Sequence, residues 1–199
     1  MNFRTILLRV LKYVPFSFLK VVILKHILGY KIGKNVTIGK AYFNCKKVTI
    51  GNNVKIANGN NFTCNTLIIG DNTVFHSNNN IVGSGVFKIG NNSRVINNHY
   101  FDVWNNITIG NNTWIAGKNS EFWTHGSIHT KTGKNLDIEI GDPTYVSSSC
   151  KFAPGVKIGS INIVGLGSVV TSNFLDNKNI IAGNPAKNVK NNIDWRENW

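Results

Sequence analysis

The residues best suited to chemistry crowd into one stretch, Trp114 to Leu136. It carries Glu121, Trp123, His125 and His129, and so holds two of the chain's five histidines. An imidazole near pKa 6.5 exchanges protons at neutral pH. An indole offers a broad apolar face for stacking or packing. A second group, Asn97-Asn98-His99-Tyr100-Phe101-Asp102, sets amides, a histidine and a carboxylate side by side; it reads either as part of a site or as a plain corner turn. A metal centre would have to draw on His76, His99 and His125. Zinc asks for three well-placed ligands, yet the one close pair, His125 and His129, lies at i,i+4 in a loop, and the distant histidines share no recurring spacing. No metal is expected.

These residues must be held by whatever the rest of the chain builds. From residue 31 onward Ile-Gly pairs recur, ending at Gly33, Gly39, Gly51, Gly70, Gly90, Gly110, Gly141 and Gly159. The gaps between these glycines are 6, 12, 19, 20, 20, 31 and 18. Three hexapeptides make 18, one turn of a three-sided coil, so this is a hexapeptide repeat. One aliphatic residue per hexapeptide points inward and stacks on its equivalent one coil away. The chain's 32 asparagines suit the corners, because Asn tolerates left-handed backbone. The spacing predicts an all-β chain, a parallel β-helix of triangular section about seven coils tall over residues 31–187. The excess of 13 in the gap before Gly141 is a true loop at 118–136. A regular prism has no pocket of its own, so function belongs where regularity fails.

Residues 1–30 read differently. Phe3, Leu7, Val10, Leu11 and Val14 fall on one helical stripe beside basic residues. Pro15 breaks that helix, Ser17 suits the N-cap of a second, and Gly29 suits its end. The first 70 residues carry 11 Lys/Arg and no acid, within a net charge of +13. Such asymmetry points to an anionic partner. No run nears the about 20 apolar residues of a membrane span, and no signal peptide is evident. The expected location is cytoplasmic, with residues 1–30 either covering the end of the fold or resting on the inner face of the membrane. The basic residues are scattered without an aromatic platform, so nucleic acid is not an expected partner. Cys45, Cys64 and Cys150, odd in number and far apart, form no disulfide or zinc framework.

The repeats, the Thr124-His-Gly-Ser-Ile-His129 stretch and the closing Gly183-Asn-Pro-Ala-Lys187 together resemble the hexapeptide-repeat acyltransferases. Among them, the chain is similar to sugar and polysaccharide O-acetyltransferases. The resemblance covers about residues 31–190 and implies a left-handed coil, a homotrimer with clefts between prisms, acetyl-CoA as donor and a sugar hydroxyl in a surface polysaccharide as acceptor. N-acetylation of an amino sugar or other small amine, or a non-enzymatic binding β-helix, are the alternatives. It implies that His125 is the catalytic base, with Glu121 a candidate for orienting it and an amide at Ser148 for the oxyanion. Asn98, Asp102, Trp123 and His129 are then expected around the acceptor. Ser148, Gly165, Leu166, Gly167, Thr171, Lys187 and Lys190 are expected around CoA, with Leu166 larger than the alanine usual there. Residues 188–199 are left as a short tail.

Overall fold

The computed structural model describes residues 3–126 and 135–197. After two helices, α1 (Phe3–Tyr13) and α2 (Ser17–His26), the chain winds through short strands that return to the same three sheets once per coil. The first sheet has seven strands, from Lys31–Ile32 to Lys157–Ile158. The second has nine, from Thr37–Ile38 to Ala186–Lys190, and the third has seven, from Tyr42–Phe43 to Val169–Val170. Pairing is parallel throughout, except where Ile180–Gly183 meets Ala186–Lys190 antiparallel. The result is a parallel β-solenoid of seven coils with three sides, consistent with the left-handed β-helix. The boundary drawn at residue 187 falls inside that last strand.

The core follows from the period. Ile32, Ile50, Ile69, Ile89, Ile109, Ile140 and Ile158 stack down the first sheet, all buried. Down the third sheet run Phe101, Phe122 and Phe152, with ring centroids 4.7 and 4.4 Å apart and nearly parallel planes. Each such side chain contributes about 1.5–3 kcal/mol by leaving water.

The asparagines build the corners. Asn35, Asn53, Asn72, Asn92 and Asn112 all take positive φ at the turn between first and second sheets. There Asn35, Asn53 and Asn72 each donate a side-chain N–H to the amide oxygen of the next, at 3.0–3.1 Å. A second, buried ladder runs along the turn between second and third sheets. Asn79 donates its backbone N–H to Asn60 Oδ1, His99 to Asn79 Oδ1, Ser120 to His99 Nδ1 and Cys150 to Ser120 Oγ. The ladder accepts any residue that offers an acceptor at that height, and His99 is one rung of it.

The helices close the N-terminal end, where the first coil has no coil before it. Its open backbone groups are met by side chains. Arg4 and the Tyr30 hydroxyl donate to Cys45 O at 2.5 and 2.8 Å, Lys20 Nζ donates to Gly39 O while also holding Lys12 O of α1, and Ser17 Oγ accepts from Ile38 N at 2.8 Å. This corrects two expectations. Ser17 serves the coil and makes no cap bond, Phe16 standing at the N-cap. The packed face of α1 holds Leu8 and Leu11, whereas Phe3 and Val10 point outward. At the other end the tail turns back on the second sheet: Trp195 Nε1 donates to Pro143 O at 3.2 Å, and its ring lies 5.5 Å from Tyr145.

Candidate active site

The Tyr100–Asp102 and Glu121–Trp123 strands are neighbours in the third sheet, paired Phe101 to Phe122 and Asp102 to Trp123. Because Phe101 points inward, Asp102 leaves the outer side at the strand's end. It is nonetheless almost fully buried. His125, three residues past Phe122, lies over it with Nδ1 2.6 Å from Asp102 Oδ2. The same oxygen accepts the backbone N–H groups of Thr124 and His125, both at 3.1 Å, and Thr124 Oγ1 donates to Asp102 O. The turn therefore fixes where the imidazole sits. A carboxylate facing Nδ1 makes that nitrogen the donor, which leaves the Nε2 lone pair free to accept a proton. The His125 side chain is half exposed while its partner is sealed.

Beside His125 a groove of about 320 Å³ is lined by Trp123, Gly126, Phe152, Ala153, Pro154 and Val169. Two tryptophans flank the imidazole edge-on, Trp104 at 5.9 Å and Trp123 at 6.4 Å between centroids. Trp104, which is 56% exposed, was not singled out in the sequence; its signal is its place two residues after Asp102, one coil below His125. A roomier hollow of about 460 Å³ lies on the first sheet, but its acids are engaged: Asp137 accepts from Asn106, Asp142 from Asn111, and Glu139 pairs with Lys157.

Several site expectations change. Glu121 does not orient His125. Its oxygens take Lys151 Nζ at 2.7 Å and Trp123 Nε1 at 3.1 Å, and the Lys151 bond holds its carboxyl below the usual carboxylate range. The carboxylate that faces His125 is Asp102, almost fully buried, with three bonds on Oδ2 and a buried Oδ1 that has no hydrogen-bond partner. Asn98 stands at the opposite end of the third sheet, with φ +58 and its N–H on Ser77 O, which is a corner position. Ser148 shares that far end: Glu121 is level with Lys151, which puts Ser148 three residues before that rung and His125 four after it. Its hydroxyl accepts from Lys118 N at 3.2 Å, and a Cβ on Gly117 would meet that oxygen at 1.6 Å. Gly165, Leu166 and Gly167 form the same corner one coil on, where Gly167 N donates to Ser148 O at 3.0 Å. Lys187, level with Ala182, is beside them, while Lys190 lies at the other end of its strand, level with Ile180. Only Thr171, one residue past Val170, falls at the His125 end. His129 lies outside the described residues. Among the described residues no cluster of three His, Cys, Asp or Glu could hold a metal ion.

No family model matches the chain. Over 89 residues it is 32% identical to the galactoside O-acetyltransferase of Escherichia coli (strain K12), covering 42% of this chain and 43% of that protein. The chain thus spans less than half the length of the curated relative it matches. The polysialic acid O-acetyltransferase OatWY superposes over 83% of this chain and 86% of its own with a TM-score of 0.62, at 23% identity; this likeness establishes the fold. A hexapeptide-repeat-containing acetyltransferase of Vibrio cholerae, solved with acetyl coenzyme A, aligns more distantly, over 98% and 92% of the two chains at 16% identity and a TM-score of 0.49. The curated relative is an acetyltransferase, the class that the repeat and the histidine stretch resemble.

Proposed function

We propose that the chain is an acetyl-CoA-dependent O-acetyltransferase acting on a sugar hydroxyl, in the making of a surface polysaccharide. The observation that carries this reading is the His125–Asp102 pair opening on an apolar groove of a β-helix. Asp102 holds Nδ1, so Nε2 takes the proton of the acceptor hydroxyl. The oxygen then attacks the acetyl carbonyl carbon; the new C–O bond forms, the C–S bond of the thioester breaks, and the proton on His125 passes to the departing sulfur. Such base catalysis supplies about 10²–10⁴-fold. Trp104 and Trp123 offer faces for the sugar ring, and the apolar groove suits the arm that presents the thioester.

The far-corner group, Ser148, Gly165, Leu166, Gly167 and Lys187, stands a full sheet width from His125 of its own chain. In a homotrimer, that corner of one copy would meet the His125 end of the next, where the Ser148 amide would face the oxyanion and the lysine the CoA phosphates. The reading includes a cytoplasmic site of action next to the membrane.

The test is CoA release from acetyl-CoA across a panel of glycans and amino sugars, with product mass measured. The expected result is a glycan-dependent O-acetyl product, abolished by His125→Ala. Transfer only to amines would favour the N-acetyltransferase, and turnover unaffected by His125→Ala would overturn the assignment.

A further inference from the structure

The two N-terminal helices pack Leu8, Leu11 and Leu24 against the fold and carry a second set of apolar side chains outside. Their cations Arg4 and Lys20 point into the fold, where they close the open carbonyls of the first coil. Lys20 is 2% exposed, and burial lowers its pKa. The second apolar set points the other way. Phe3, Val10 and Tyr13 on α1, Phe16 between the helices, and Phe18 and Val22 on α2 are 47–75% exposed. Of the exposed large hydrophobics among the described residues, most lie in this one segment. An apolar face of this kind is normally covered.

What covers it is indicated by charge. Arg9, Lys25 and His26 are exposed around the face, and the first 70 residues hold no acid to balance them. A second copy docking here would set two basic rims together. An anionic surface would be drawn to them. At the edge of the face, Arg9 and Lys12 line a hollow of about 410 Å³ with Tyr13, Tyr42 and Asn61, a size and chemistry suited to a phosphate head group. No helix among the described residues is long and apolar enough to cross a bilayer, so the segment would lie on one.

We infer that α1, α2 and the Phe16 turn form a monolayer-docking face for anionic phospholipid. Phe3, Val10, Phe16, Phe18 and Val22 enter the acyl boundary, and Arg9, Lys12 and Lys25 meet lipid phosphates. This inference deepens the proposed site of action but does not depend on the reaction. Its test is sedimentation of the full chain with vesicles of phosphatidylglycerol or of phosphatidylcholine alone. Binding to phosphatidylglycerol is expected, at least 10-fold stronger than to phosphatidylcholine and weakened by salt. The Val10→Glu/Phe18→Glu variant, altered only at exposed positions, is expected to lose binding at least 10-fold with unchanged thermal unfolding, and Arg9→Glu/Lys25→Glu likewise. Equal sedimentation of wild type and both folded variants overturns the inference. So does absence of vesicle binding together with an oligomer, measured by ultracentrifugation, that Val10→Glu/Phe18→Glu dissociates, since that outcome assigns the face to a second copy.

Discussion

The same pair of strands in the third sheet carries a histidine at each end, and the two are put to opposite uses. At one end Ser120 N donates to His99 Nδ1 at 3.1 Å. The ring is fully buried, its Nε2 makes no hydrogen bond, and burial pushes its pKa down to about 4. At the other end His125 Nδ1 faces the Asp102 carboxylate at 2.6 Å, and its ring meets solvent and the groove. The backbone N–H makes His99 an acceptor at Nδ1; the carboxylate makes His125 a donor there. One histidine is thus a structural rung kept neutral, and the other has Nδ1 held and its Nε2 lone pair open. The partner and the solvent, not the residue type, decide which.

Removing the open histidine gives the largest expected effect. His125→Ala lowers turnover about 10³-fold or more while thermal unfolding stays unchanged, as measured by CoA release and calorimetry. Asp102→Asn keeps an acceptor for the Thr124 amide but removes the charge that steadies a protonated imidazole. A loss between about 10² and 10³ in kcat is expected, with the pH–rate profile displaced.

The sealed end responds in stability instead. Unfolded, His99 titrates near 6.5; folded, near 4. Between these values the unfolded chain binds more protons, so this contribution is full above about pH 6.5 and is lost as pH falls toward 4. It amounts to about 3 kcal/mol. His99→Asn, which restores the acceptor used by Asn60 and Asn79, should flatten that slope in pH-dependent unfolding and leave kcat within about two-fold.

Smaller effects separate the groups around His125. Trp104→Ala should raise the acceptor KM about 10-fold with a lesser change in kcat, as steady-state kinetics would show. Glu121→Gln should change kcat less than about three-fold and stability by about 0.5 kcal/mol, since its ion pair with Lys151 is solvent-facing; a loss matching that of Asp102→Asn would restore Glu121 as the orienting acid.

The coil was legible because its code is local. Each Ile-Gly marks a corner, and the gaps near 18 count the coils. The His125–Asp102 pair was not, because its members are 23 residues apart across a coil lengthened by corner residues, and only the pairing of Asp102 with Trp123 shows that the chain brings them together. Ser148 was placed correctly against Leu166, one coil apart, but the period says nothing about distance along a side, and that distance separates it from His125. The helices were legible as helices. Their outward face was not, because α1 and α2 do pack Leu8, Leu11 and Leu24 inward, and the pattern does not show that Arg4 and Lys20 turn in with them to bond Cys45 O and Gly39 O while Phe3, Val10 and Phe18 stay outside.

The contrast between the two histidines can be read in one measurement, the nitrogen-15 chemical shifts of both imidazoles at pH 7.5, assigned with His99→Asn and His125→Ala. Opposite tautomers are predicted: protonated Nδ1 with a bare Nε2 on His125, and protonated Nε2 with a bare Nδ1 on His99. A proton on Nε2 of His125, with Nδ1 bare, would contradict the assignment of that residue as a base held by Asp102.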